Sequence, residues 1–470
     1  MLLGRAFGIS WELDCLFVSL TIVGFFGILN SFFTALLLPV FNEIRTQNES
    51  EAIEFSDVVF KWSLLSGILG WIIVIKFSPS IIKLFASGFD DRSVELSSGI
   101  LRVLFIGYIF NGLVTSVGVV LNAFYFFSMP AIAGLLSPLF NIAAVFVLIP
   151  EYGIKGVAIS YVLSNVFQTI ILMPYLFHKT KWRPTLSLYH IKLPDLLKQS
   201  AKAVIGGFIW NLRDVISRNI ASHLGSGIIA LLSYAEKIIS ILLQVVVTPI
   251  SGVFYSRVSE FIAESKWDKV KRLLNKTLRV NIAIAFFVSA AVIVFIKPAL
   301  SILFLGSRFS AEGIDMIFYL LIIELLYLMV ISFETLLVKI VYSMKLINIM
   351  TFNAAIGVIA YYALSVYLSK KIGIYGLAAS MSLTQLLVCG LYIYFLNKQA
   401  NILLMDTIKP IVKSLAFAIA FVVLGLSFSK VLLKDIYVLL LLLPLWILLY
   451  LTALRYILHE ECGILRGKRI

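Results

Sequence analysis

Apolar stretches of about twenty residues, separated by short polar connections, recur about thirteen times along this chain, and no other feature limits its fold so strongly. A helix rising 1.5 Å per residue crosses a hydrocarbon layer of ~30 Å in about twenty residues, and inside it every backbone polar group must be paired within the segment. The stretches lie approximately at 13–41, 58–79, 98–123, 129–150, 154–177, 198–224, 227–256, 278–304, 314–340, 346–369, 373–396, 409–431 and 435–457. With 61% apolar and only 14% charged residues, the chain is far too hydrophobic for an ordinary soluble globular protein, and no sizeable extracellular domain fits. The expected fold is an all-α polytopic membrane protein with about 13 transmembrane helices.

The formal net charge of +14 would in a soluble chain raise the question of nucleic acid. Here its location answers. Basic residues crowd two connections, Lys179 to Lys202 and Arg257 to Arg279, and the tail carries Arg466, Lys468 and Arg469. Walking the alternation of spans puts all three on one side, which the positive-inside rule assigns to the cytoplasm, facing anionic lipid headgroups. No aromatic-interleaved basic platform accompanies them, so no nucleic-acid partner is expected. The N-terminus then falls outside, without a signal peptide before it, which leads to the expectation that one helix precedes Met1.

Segments 212 to 220 residues apart resemble one another. Tyr152-Gly-Ile-Lys-Gly-Val-Ala-Ile-Ser160 parallels Ile372-Gly-Ile-Tyr-Gly-Leu-Ala-Ala-Ser380; Phe140-Asn141 is set beside Phe352-Asn353; and Leu84-Phe85 with Gly88-Phe89 matches Leu303-Phe304 with Arg308-Phe309. Repeats of this size give two parallel lobes around one cavity. The expected organisation is an N-terminal lobe of about five spans over 1–179, a cytoplasmic connection over 180–197, a six-span lobe over 198–398, and two further spans with a basic tail over 399–470.

Ionisable groups at the bilayer centre cost about 2.5–3.5 kcal/mol each on insertion scales, so they face a polar cavity or one another. Span six carries Asn211, Arg213, Asp214, Arg218 and Asn219; span seven carries Glu236 and Lys237; span nine carries Glu324, with Glu334 and Lys339 toward its end. Arg213 and Lys237 each stand 12 residues from Gly225, so both fall about 18 Å from the turn, near the midplane. Two uses of these charges follow: an ion-pair ladder holding the hairpin, or a cation cluster that exchanges protein carboxylates for an anionic substrate group. Asp214 and Arg218 are four apart and can pair along one face. Lys61, Arg102 and Lys339 read as snorkelling anchors; Asn122, Asn141, Gln168, Asn353 and Gln385 as interhelical hydrogen-bonding groups; Pro138, Pro249 and Pro444 as kinks. The three cysteines and four histidines share no ligand spacing, so no metal is expected. With no Walker motif and no soluble segment for an ATPase, no cofactor is expected, and an ion gradient or the membrane potential is left as driving force.

Several stretches carry a family resemblance: Gly4-Arg-Ala-Phe-Gly8 followed by Leu13-Asp-Cys-Leu-Phe-Val-Ser-Leu20; Gly88-Phe89-Asp90; Leu121-Asn122-Ala-Phe with Phe127-Ser128-Met-Pro130; Tyr234-Ala-Glu-Lys237; and the amphipathic connection from Arg257 to Leu274. They resemble the MviN/MurJ-type lipid II flippases of the multidrug/oligosaccharidyl-lipid/polysaccharide exporter superfamily. The resemblance covers nearly the whole chain and implies a fourteen-helix fold, here without its first helix. It also implies outward movement of an undecaprenyl-diphosphate-linked saccharide, with basic cavity residues engaging the diphosphate. By position, Asp14 matches the family's acidic residue in the second helix, and Glu236 with Lys237 its acidic-basic pair in the eighth. The chain departs from the family around Phe25 to Ile28, where apolar or small residues replace paired arginines; Arg213-Asp214 resembles an Arg-Asp pair of the family's first helix.

The function expected is therefore a flippase for lipid II or a related polyprenyl-diphosphate glycan in the bacterial cytoplasmic membrane, its C-terminus cytoplasmic, working by alternating access for cell-envelope synthesis and not an enzyme. Arg213, Arg218 and Lys237 are expected to face the phosphates, with Asp14, Asp214, Glu236 and Glu324 as their partners or coupling-ion sites. An O-antigen or capsule-unit flippase, a cation-coupled multidrug exporter and a degenerate, non-transporting homologue stay open as other readings. The residues assign no oligomeric state.

Overall fold

The computed structural model describes residues 2–34, 36–180, 182, 185, 187–304 and 309–400. Among them every regular element is a helix: α1 (Leu2–Phe7), α2 (Trp11–Thr34), α3 (Leu37–Gln47), α4 (Glu49–Phe85), α5 (Asp91–Ala123), α6 (Ser128–Tyr152), α7 (Ile154–Thr180), α8 (Leu193–Ser222), α9 (Ile228–Ala263), α10 (Trp267–Leu303), α11 (Ala311–Ser343), α12 (Ile347–Ile372) and α13 (Ile374–Ala400). By length and composition ten segments can cross a membrane, α2 and α3 counting as one. The 30-residue α8 is long enough but interrupts its apolar run with Arg213, Asp214 and Arg218. The expected spans at 409–431 and 435–457, with Pro444, lie outside the described residues. Pro138 and Pro249 sit inside the continuous helices α6 and α9.

The helix starts follow local chemistry. Asn48 caps α4, its side-chain oxygen accepting from the backbone N–H groups of Ser50 (3.0 Å) and Glu51 (3.3 Å). Asp90 caps α5 through Ser93 N–H at 3.0 Å, and Ser310 caps α11 through Gly313 N–H at 3.1 Å. Each bond pairs a backbone donor that no helical carbonyl reaches. Pro39 falls in the first turn of α3, where its missing N–H costs nothing.

The repeat is written into the backbone at a spacing of 220 residues, or 218 for α4 and α10. The helices α5 and α11 have 33 residues each, α7 and α13 27 each, α4 and α10 37 each. The turn after α5 places Tyr125 at φ 62°, with Tyr125 N–H donating to Asn122 O and Phe126 N–H to Leu121 O; the turn after α11 places Lys345 at φ 59° with the same two bonds, to Tyr342 O and Val341 O. Gly153 and Gly373 end α6 and α12 with φ 55° and 61°, a region that favours glycine, and each accepts from the glycine three residues on at 3.0 Å. Phe85 and Phe304, near the helix ends expected to correspond, are both buried. The match of Asn141 with Asn353 does not hold: at the observed spacing Asn141 corresponds to Tyr361, and only Asn353 is fully enclosed.

The chain divides into two compact units, one of residues Ser10–Ile229 and the other of Met1–Ile9 with Ala230–Ile470. Chain order and repeat make α8 the first helix of the second repeat, yet its packing places it in the unit of α2 to α7. That unit's core runs through Phe41, Phe55, Val59, Leu121, Leu176 and Trp182. The other has a core of Phe254, Leu274, Leu278, Leu336, Leu337 and Ile340. In α6 the apolar Leu135, Leu139, Phe146 and Val147 are 61–73% exposed, a surface that hydrocarbon solvates and water does not.

Candidate functional site

In the unit of residues 10–229, α8 carries two buried guanidiniums, Arg213 and Arg218, the latter against α2. Arg213 is 3% exposed, its guanidinium carbon 3.5 Å from the ring centroid of Trp210, one turn earlier on the same helix. A desolvated cation on a tryptophan face gains about 2 kcal/mol, comparable with the ~2.5–3.5 kcal/mol that a charge costs at the bilayer centre. Arg218 is 7% exposed, and its Nε donates to Thr21 Oγ1 at 3.2 Å; Thr21 in turn donates to Phe17 O at 2.9 Å. The planar guanidinium is thereby oriented on α2. Asp214 points elsewhere. It is exposed and, among the described residues, forms no ion pair with Arg218, so the pairing that their four-residue spacing permits does not occur. Burial decides: Arg218 turns toward Thr21 while Asp214 lies on the outer face.

Asp14, in the first turn of α2, is 2% exposed and accepts the backbone N–H of Gly227 at 2.5 Å, tying the turn after α8 to α2. Beside it the α4–α5 turn grips the end of α8: Gly88 N–H donates to Ser222 Oγ at 3.0 Å, Asn219 Nδ2 to Leu84 O at 3.0 Å, and Ser87 Oγ lies 2.8 Å from His223 Nε2. A Cβ on Gly88 would stand 2.5 Å from Ser222 O, so backbone contact at this point requires glycine. These contacts surround a cavity of about 330 Å³ lined by Trp11, Asp14, Asp90, Arg92 and Ser222. The Arg92 guanidinium covers Trp11 at 4.4 Å, and hydrogen bonds from Ser93 hold the Asp90 carboxyl below its ordinary range. The Gly88-Phe89-Asp90 motif thus performs two structural tasks, close approach and helix capping.

In the other unit Lys237 is exposed and Glu236 half-buried on α9, while Glu324 and Glu334 are each 5% exposed on α11. Tyr234 of the same motif packs edge-on against Phe309, which stacks on Phe304 with centroids 4.2 Å apart. Neither Thr21, Trp210, Trp11 nor Arg92 stood out in the sequence. Trp210 carried a signal, three residues from Arg213 and so on the same face, whereas Thr21 lies 197 residues from Arg218. Among the described residues no group of three or more His, Cys, Asp or Glu side chains is placed to hold a metal ion.

The sequence profile of the family "Lipid II flippase MurJ" matches residues 3–448. The chain belongs to that family. It is 26% identical over 332 residues to the lipid II flippase MurJ of Burkholderia cenocepacia, and 24% identical over 321 residues to the probable lipid II flippase MurJ of Buchnera aphidicola from Schizaphis graminum. Those alignments take in 67% and 66% of this chain and 64% and 62% of the relatives, so the chain spans somewhat under two thirds of their length. The fold matches the inward closed conformation of lipid II flippase MurJ with a TM-score of 0.82 at 18% identity, over 98% of this chain and 95% of that one. An inward-facing MATE transporter of the MOP superfamily matches with a TM-score of 0.76 at 15% identity, over 84% and 92%. This family member is therefore a multi-pass membrane protein with the MurJ-like all-helical fold, in a family of transporters and not of enzymes.

Proposed function

We propose that the chain is a flippase that carries an undecaprenyl-diphosphate-linked saccharide, lipid II or a related glycan precursor, across the bacterial cytoplasmic membrane by alternating access, with its C-terminus in the cytoplasm. Family membership supports the cargo class. The observation that carries the chemistry is the pair of buried guanidiniums on α8, Arg213 against Trp210 and Arg218 on Thr21. A diphosphate cannot enter hydrocarbon bare, whereas fixed guanidiniums offer it charge-assisted, paired hydrogen bonds while the polyprenyl tail stays in lipid. Lys237, exposed on α9, is the third proposed phosphate cation; Asp14, Asp214, Glu236 and Glu324 are the proposed carboxylates that partner the cations or couple transport to an ion. The two repeats are the proposed moving lobes, with anionic lipids neutralising the basic connections.

The test is complementation of a strain depleted of its own lipid II flippase. Growth on expression of this chain is expected. A chain present in the membrane at normal level that never restores growth would overturn lipid II as cargo.

A further inference from the structure

Thr185 and residues 187–192, which lead into α8, are bound to an acidic corner formed by α3 and the start of α4. Glu43, Glu49, Glu51, Glu54 and Asp57 fall within fifteen residues there, against a single basic residue, Arg45. Asp57, 1% exposed, accepts from Thr185 N–H at 2.9 Å, Thr185 Oγ1 at 2.6 Å and Lys61 Nζ at 2.6 Å. Lys61 returns the contact, donating to Thr185 O and to Ser187 O at 2.9 Å. Trp62 Nε1 donates to Leu188 O at 2.9 Å, and Lys192 Nζ to Glu43 Oε1 at 3.0 Å. Between these bonds His190 is 7% exposed, its ring 5.0 Å from that of Phe55 and its Nε2 3.8 Å from Glu51 Oε1.

The tautomer follows from the geometry. His190 Nδ1 accepts the backbone N–H of Lys192 at 3.2 Å, immediately before α8, so Nδ1 carries no proton while the connection is docked. Protonating the ring makes Nδ1 a donor and turns that bond into a clash of two N–H groups. The charged groups facing the ring are Glu51 and Glu54 of α4 and Lys192, which is itself engaged by Glu43 of α3. The carboxylates favour the imidazolium, but burial outweighs them and holds His190 below its ordinary range. An imidazole held low when docked takes up its proton more readily once released. Docking is therefore fully favoured above the ordinary histidine pKa of about 6.5 and weakens as the pH falls through it.

We propose that Thr185 and residues 187–192 form a proton-released latch, in which Asp57 and Lys61 clamp Thr185 and Ser187, and protonation of His190 frees the start of α8, the helix that carries Arg213 and Arg218. The latch goes beyond the flippase assignment and is read without any cargo. A nitroxide placed at Ile191, 70% exposed on the connection, reports its mobility in the full chain purified in detergent, with Cys15, Cys389 and Cys462 replaced by serine. The expected spectrum is immobile at pH 8, with the mobile fraction rising at least threefold by pH 5.5. His190→Asn keeps an acceptor for Lys192 N–H but does not titrate, and is expected to stay immobile at both pH values. Asp57→Asn and the milder Thr185→Val are expected to be mobile at pH 8. An unchanged wild-type spectrum between the two pH values, or an equal rise in His190→Asn, overturns proton release. Immobility of both Asp57→Asn and Thr185→Val at pH 8 overturns the clamp.

Discussion

Substituting alanine at Gly376 and Gly156 tests whether the helix hairpins α12–α13 and α6–α7 are built on the same backbone contact. A Cβ on Gly376 would lie 2.4 Å from both the carbonyl carbon and oxygen of Leu368, and 2.7 Å from Ser369 N. On Gly156 it would lie 2.6 Å from Leu148 O and 2.8 Å from Leu148 C. Ordinary contact begins near 3.4 Å, so each hairpin must open by roughly 1 Å, and backbone cannot rotate aside as a side chain can. Overpacking of this kind costs about 1–3 kcal/mol, against which alanine regains up to about 1 kcal/mol of helix propensity. The net expectation is a loss of about 1–2 kcal/mol for each variant, a five- to thirtyfold shift toward the unfolded chain, and roughly twice that in free energy for the double variant, since the sites lie in different units. Gly134→Ala on α6 and Gly390→Ala on α13 are the controls: nothing lies within 4 Å of either Cβ, so only the propensity gain remains and the sign reverses. The assay is denaturant or thermal unfolding of the detergent-solubilised protein, followed by size-exclusion chromatography of the surviving fraction. Equal stability of Gly376→Ala and Gly390→Ala would refute the close-approach argument.

Other consequences are more local. Arg213→Ala and Lys237→Ala are each expected to abolish lipid II flipping with membrane levels unchanged, and full activity in both variants would remove these cations from the proposed site. Thr21→Val deletes the oxygen that orients Arg218, a hydrogen bond to a charged group worth about 1.5–3 kcal/mol; flipping is expected to fall about tenfold or more, and normal rates would show that the anchor is dispensable. Asp14→Ala strands the Gly227 N–H and is expected to lower unfolding stability by about 2 kcal/mol, with Asp14→Asn losing less because the acceptor survives. Cys15 and Cys389, 0% and 6% exposed, are expected to resist maleimide in a Cys462→Ser chain until denaturant is added; prompt labelling would contradict the packing around them.

Periodicity and composition were legible because each acts within one helix. The apolar stretches marked the spans, and the matched segments at 152–160 and 372–380 fall where Gly153 and Gly373 turn the chain with positive φ. Short sequence matches were a weaker guide. Asn141 and Asn353 share a neighbour, Phe140 or Phe352, but stand at different depths in their helices, since side-chain identity does not count turns. The charged residues of α8 show the same limit at the site. Spacing places Asp214 and Arg218 on neighbouring turns, but spacing cannot say which of them is turned toward a second helix. That choice rests on Thr21, 197 residues away, and on the burial that α2 imposes.

Membership of α8 is settled by the same kind of contact. Its sequence reads as the opening helix of a second repeat, and the 220-residue spacing of the helices that follow supports this. Its ends, however, are held by residues of the first repeat: the α7–α8 connection by Asp57 and Lys61, and the C-terminal turn by Gly88 and Asp14. Every one of these bonds is polar and most use backbone atoms, so none leaves a hydrophobic period or a charge pattern that could be read along the chain. For a transporter this arrangement has a mechanical consequence. Asp14→Ala and Asp57→Asn weaken the contacts that hold the two flanks of one helix, itself about 45 Å long for 30 residues, so their effects on stability should add. An interaction between them above about 0.5 kcal/mol in the double variant would show that α8 is released from its unit as one rigid piece rather than end by end.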